Sequence, residues 1–302
     1  MSGRLGRNAL FSQWLAGALV IMDMAQSTGR RIFLDSTTGT DAGGNGVSPD
    51  APVATLDYAV GLCTADQGDI IIAMPGHAED VIAAAGIALD VEGITIIGLG
   101  VGDNRPTITF TTADTADIDF DADNVAIKNF RFICDIDALA AALDVNNPYC
   151  SVEDCEFIDL GTDNTLEWIN VAATGDYFEC INCTNRGTAT AGNNAFISMA
   201  AATGVKVIGL VSNGDFAAAN IDMSAAALDV VIEDCRLQNS NTVDVCIEGF
   251  AAATGWVSHN LIFIATDTIL TGINTVGTLA LFENYQINVG GETGILIGTP
   301  SA

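Results

Sequence analysis

Five aspartates crowd the segment DTADIDFDADN at 114–124: Asp114, Asp117, Asp119, Asp121 and Asp123. Alternate residues of an extended chain share a face, so the last four would stand side by side. Hard carboxylate oxygens in that arrangement could ligate Ca²⁺. The alternation equally suits a solvated outward face, and the full ligand pattern of an EF-hand loop is absent, so no metal site is assigned. Two carboxylate pairs, Asp154 with Asp159 and Glu153 with Glu156, have the residue types of a glycosidase acid and base. With 38 acidic residues in the chain, such pairs arise almost anywhere, and no catalytic residue is assigned from them.

Eight cysteines include a CxxC at Cys180 and Cys183, with Cys150 and Cys155 some 25 to 30 residues earlier. Zinc and disulfide readings remain open, but a structural zinc site brings two tight pairs and the 150/155 gap is wider. Cysteine as small apolar filler is the simpler reading. His77 follows a Pro-Gly turn and reads as a surface group; His259 reads as a turn neighbour. No Ser/His/Asp constellation is legible, and the glycines of GLGVGDNRP lack the lysine and following helix of a phosphate loop. No cofactor is implied.

The charge narrows the partners. Only 10 Lys and Arg face the 38 acids, for a net charge of −28. That balance disfavours nucleic acid and anionic membranes, and it suits a solvated surface, including one kept soluble in a saline setting. Arg4 and Arg7 precede an apolar stretch in which Trp14, Leu15, Ala18, Leu19 and Met22 fall on one side of a helix. Residues 1–30 are therefore expected to form an attachment or capping helix, too short and interrupted for a membrane span; a cleaved leader is the alternative.

What must position any site is a repeat. The turn residues Asn129, Asp154, Asn182, Gly209, Asp234, Asn260 and Asn284 are spaced 25, 28, 27, 25, 26 and 24 residues apart, each after a short apolar stretch such as VAIKN or VVIED. Strands this short cannot bury a sheet alone, but stacked coils pair each strand with its neighbour and build a continuous core. Alternation turns Val125 and Ile127 inward and Ala126 and Lys128 outward. Asn, Asp and Gly suit the corner because they tolerate left-handed backbone. Cys155, Cys183 and Cys235 follow the corner at equivalent places and are expected to form an inward stack. The echoes ISMAAATG and EGFAAATG mark a second, small-residue corner and so belong to the scaffold. Residues 31–302 then form one domain of about eight or nine coils.

The opening RIFLDSTTGTDAGGNGVSPDAPVATLDYAVGLC and the following GDIIIAMPG resemble the start of right-handed parallel β-helix proteins of the pectate-lyase-like superfamily. The resemblance implies an all-β, single-stranded solenoid with an N-terminal helical segment, its first coil covered by a short helix. Short coils, small corners and scarce basic residues further resemble phage-type virion proteins: capsid decoration or cement components, or tail-fibre and tailspike parts. What this implies is a non-enzymatic, homo-oligomeric protein, trimeric by analogy, docked on other virion proteins of the capsid, located in the virion and extracellular once particles are released. The enzymatic alternative is a tailspike-like polysaccharide lyase or glycoside hydrolase. A lyase resembling the pectate family would need clustered acids for calcium and a basic residue at the abstracted proton, here Lys128 or Arg131 beside the acidic run. A third alternative is a non-catalytic glycan-binding module using Trp168 or Trp256.

Overall fold

The computed structural model describes residues 13–15, 18–20, 29–187, 192–241, 245–265, 272–275, 278–288 and 293–296. It is an all-β, right-handed parallel solenoid of about eight turns. Each coil contributes one strand to each of three sheets. The first sheet runs from Arg31–Leu34 through Ala126–Lys128 to Thr278–Phe282, and the second from Ala78–Val81 through Arg131–Cys134 to Asn284–Asn288. The third runs from Ile87–Leu89 through Leu139–Val145 to Ile273–Thr275.

Register makes the core continuous. On the first sheet, Ile32, Ile71, Ile96, Ile127, Val152, Cys180, Val207, Ile232 and Val257 pair in turn, all at 0% exposure. On the third, Ile118, Leu143, Ile169, Ile197, Ile221 and Ile247 do the same. Between these columns Phe132 stacks on Phe157 at 5.1 Å, and Phe157 meets Trp168 and Phe196 edge-on. Branched side chains repeat because they fill a pleated surface buried against the opposite wall.

The corner between the first and second sheets is left-handed in every coil from Asn129 onward. Positive φ occurs at Asn129 (60°), Asp154 (54°), Asn182 (54°), Gly209 (67°) and Asp234 (55°). In the last two coils it falls on His259 (56°) and Glu283 (50°), which corrects the expected placement of Asn260 and Asn284 at the turn. Those two sit one residue later, fully buried, level with Cys155, Cys183 and Cys235. There Asn260 Nδ2 donates to Asn284 Oδ1 at 2.9 Å, and Asn260 Oδ1 accepts from Cys235 N at 2.9 Å. Their amides bond inside the stack, and the fold tolerates His and Glu in left-handed backbone beside them. All eight cysteines are free thiols; Cys155 and Cys183 are buried, and desolvation raises both thiols well above their ordinary range.

One short helix, α1 (Leu56–Val60), covers the first coil, with Leu56, Ala59 and Val60 buried. Thr55 caps it, and Glu79 Oε2 accepts from Leu56 N at 2.8 Å. His77, expected at the surface, is instead 1% exposed: its Nδ1 accepts from Ser36 N at 3.0 Å and ties the entry loop to the second strand. At the far end Thr293–Leu296 folds back antiparallel on Asn284–Asn288 and pairs that edge.

Among the described residues of 1–30, strands stand where the attachment helix was expected. Trp14 and Leu15 lie in strand Gln13–Leu15, which pairs antiparallel with Ala18–Val20, setting Trp14 opposite Leu19. Gly17 lies inside the expected helical stripe, and a glycine there weakens a helix by about 1 kcal/mol relative to Ala. Met22 lies outside the described residues. Among the described residues no helix is long and apolar enough to cross a membrane.

Two substitutions test this architecture by denaturant unfolding. Ile127→Ala in the central column should cost about 2–5 kcal/mol. Asp154→Val should cost about 1–2 kcal/mol while Asp154→Gly is tolerated, because a branched residue is strained at φ near +54°. Equal effects of Val and Gly would contradict the left-handed corner.

Candidate functional site

In-register stacking turns outward residues into lines. In strand Ile118–Phe120 both ends are buried, leaving Asp119 outward; Leu143 and Val145 do the same for Asp144. Asp119 pairs with Asp144, and the line continues through Asn170, Ser198, Asp222, Glu248 and Asn274. Every member carries a carboxylate, amide or hydroxyl. Neighbours stand about 4.8 Å apart, one strand spacing.

Asp117 joins the start of this line. The carboxylate oxygens of Asp117, Asp119 and Asp144 lie within 4.8 Å of one another, and all three residues are half-buried. Asn170 Nδ2 donates to Asp144 Oδ1 at 2.9 Å, and Ala85 N donates to Asp117 Oδ1. Desolvation, then the charges of Asp117, Asp121 and Asp144, push Asp119 up to about 6. Asp117 is raised, first by burial and then by Asp144 and Asp121, against the lowering effect of the Ala85 N–H. Further along, burial and then Glu248 and Glu167 push Asp222 up to about 6.

This arrangement supports two kinds of chemistry. A carboxyl group that keeps its proton towards pH 6 beside carboxylates can work as a general acid with a nearby base. Three crowded hard oxygen donors also fit a divalent cation such as Ca²⁺, whose charge would relieve their repulsion.

The basic residues expected beside the acidic run stand elsewhere. Lys128 is outward on the first sheet, with Nζ 2.7 Å from Glu153 Oε2. Arg131 is on the second sheet, with Nε 2.9 Å from Glu156 Oε2. The acids thus face one side of the solenoid and these cations the others. Neither suggested carboxylate pair forms: Glu153 and Glu156 flank the corner on different sheets. Asp154 is exposed there, while Asp159 is buried and accepts from Thr165 Oγ1 and Asn193 Nδ2. Trp168 is core, whereas Trp256 is exposed next to Phe282. No cysteine belongs to a ligand cluster among the described residues.

Two residues escaped the sequence reading. Tyr149 and Tyr177 occupy left-handed turns leading from the third sheet back to the first, exposed and stacked at 4.9 Å with rings 2° from parallel. Their 28-residue separation, after NNP and TGD turns, was the available signal.

No family model matches the chain, and no curated protein matches it. Solved structures do. A rhamnogalacturonan lyase is similar over 86% of this chain and 74% of its own, with 14% identity and a TM-score of 0.57. Pectate lyase Pel9A is similar over 91% of this chain and 72% of its own, with 16% identity and a TM-score of 0.61. A third structure, Geobacillus virus E2 ORF18, overlaps 96% of this chain and 71% of its own at 12% identity and a TM-score of 0.36. The shared property is the fold: a parallel β-solenoid resembling those of pectate and rhamnogalacturonan lyases.

The raised carboxyl groups give a stability signature. Between the ordinary carboxyl value of 3.8 and about 6, the folded chain holds protons on Asp119 and Asp222 that the unfolded chain has released. Their contribution to stability therefore falls as pH rises through that window and stays low above it. Asp119→Asn should raise Tm at pH 7.5, with the gain shrinking as pH falls towards 4. A lower Tm at pH 7.5 would contradict the crowding.

Proposed function

We propose that the chain cleaves glycosidic bonds in a polysaccharide along the carboxylate line of its third sheet. The observation that carries this reading is the triad of Asp117, Asp119 and Asp144 on an accessible face, with Asp119 held protonated towards pH 6. Likeness of fold to two polysaccharide lyases supports it.

In this reading Asp119 gives its proton to the leaving glycosidic oxygen. Asp144, oriented by Asn170, takes a proton from the attacking water as its oxygen bonds to the anomeric carbon and the glycosidic C–O bond breaks, and Asp117 keeps the local field negative enough to hold the Asp119 proton. A divalent cation, if bound, would be held by these three carboxylates in ionised form and would take the place of the Asp119 proton, supplying charge neutralisation of an acidic substrate instead of acid catalysis. The line of polar residues from Asp119 to Asn274 offers hydrogen-bonding partners to an extended chain laid along the axis.

The alternative, a non-enzymatic capsid-bound component, rests on the short regular coils and the acidic surface. It gives the carboxylate line no chemical role.

A panel including polygalacturonate and rhamnogalacturonan, assayed for new reducing and unsaturated ends with and without added Ca²⁺, separates the two. Product is expected, with rate falling above about pH 6 as Asp119 loses its proton. Asp119→Asn and Asp144→Asn should each lower the rate by about 10²-fold or more. No ends from any polymer by the folded protein, with recovery on purified particles instead, would favour the structural alternative.

A further inference from the structure

A second concavity opens on the second sheet, away from the carboxylate line. Its volume is about 490 Å³, and Arg105, Arg131, Arg186, Glu156, Asp154 and Thr184 are among its lining residues. In a chain with 10 basic residues and a net charge of −28, three guanidinium groups in one pocket are a local inversion of charge. Glu156 and the exposed Asp154 offset two of them.

The pocket is rich in donors. Glu156 accepts from Arg131 Nε at 2.9 Å through Oε2, and its Oε1 lies 3.3 Å from Arg186 Nη2. Arg131 also donates to Gly102 O at 3.2 Å. Arg105 Nε is buried without a hydrogen-bond partner. Each guanidinium carries five N–H donors in a planar fork, so the two carboxylates of Glu156 and Asp154 leave several of them unanswered. The side chains reach the pocket from four successive coils: Arg105 lies two residues before the line that joins Thr107, Arg131, Glu156 and Thr184, and Arg186 lies on the neighbouring outward line, level with Ile158. A planar carboxylate engages one or two forks edge-on, whereas a tetrahedral oxyanion offers acceptors in several directions.

We propose that this pocket binds a tetrahedral oxyanion, a sulfate or phosphate group, and that its volume admits the small molecule carrying that group. Arg186, with its side chain 71% exposed, is the lip; Arg105 and Arg131 form the floor, and the Thr184 hydroxyl adds a donor.

Isothermal titration of the full chain with inorganic sulfate, phosphate and acetate at fixed ionic strength tests this. Saturable binding of sulfate or phosphate, stronger than acetate, is expected. Arg186→Gln and Arg105→Gln should each weaken it about tenfold or more through loss of charge-assisted hydrogen bonds. Arg236→Gln should leave it unchanged, since Arg236 stands on the same outward line two coils beyond Thr184. Asp119→Asn should also leave it unchanged, which keeps the result independent of the polysaccharide proposal. The preference between sulfate and phosphate identifies the group. Absence of saturable binding by either ion overturns the proposal, as does binding indifferent to Arg186→Gln, a change at an exposed side chain that the fold tolerates.

Discussion

In-register parallel pairing, coil on coil, is the constraint on which everything else in this molecule depends. One residue per coil must adopt left-handed backbone so that the chain turns sharply from the first sheet to the second. Once those corners superpose, register is fixed on all three sheets, because a slip of one residue would turn the aliphatic columns out to solvent. Every outward residue then acquires a neighbour above and below at strand spacing. A chemical group 25 residues away in sequence becomes a contact.

The carboxylate line follows from that constraint. Asp119 and Asp144 crowd because both flank buried apolar residues in paired strands, and no local rearrangement can part them without breaking register. Partial burial, and then crowding, raise Asp119 and Asp222, a cost the aliphatic core offsets. Sites that oppose stability in this way are where chemistry is commonly found. The buried amides show the same constraint from the inside. Asn260 and Asn284 satisfy each other and the Cys235 N–H within the stack, so polar side chains are tolerated at full burial.

Much of the fold was legible because its period is written in residue types with a steric reason: Asn, Asp and Gly at corners, β-branched residues before them. The misplacement at Asn260 and Asn284 came from the same rule, since a side chain suited to a left-handed turn is also suited to an internal ladder, and only the backbone distinguishes them. The N-terminal stripe of Trp14, Leu15 and Leu19 fits helical spacing, but a stripe this short also fits two short paired strands. The triad was half visible. Asp117 and Asp119 stood in the acidic run, and adding one coil spacing to Asp119 reaches Asp144, then Asn170, an offset that composition alone does not reveal. The arginine pocket was not legible because Arg105, Arg131 and Arg186 fall at different offsets within their coils, so one coil spacing does not link them.

Site-resolved NMR titration of the Asp119 carboxyl carbon is the most direct measurement of the central claim, that register forces these carboxylates together. The expected midpoint is about 6 in the native chain, moving down in Asp144→Asn yet staying above the ordinary 3.8, because burial is the largest cause of the shift. A midpoint near 3.8 in the native chain, indifferent to Asp144→Asn, would show that the two coils do not stack in the register described.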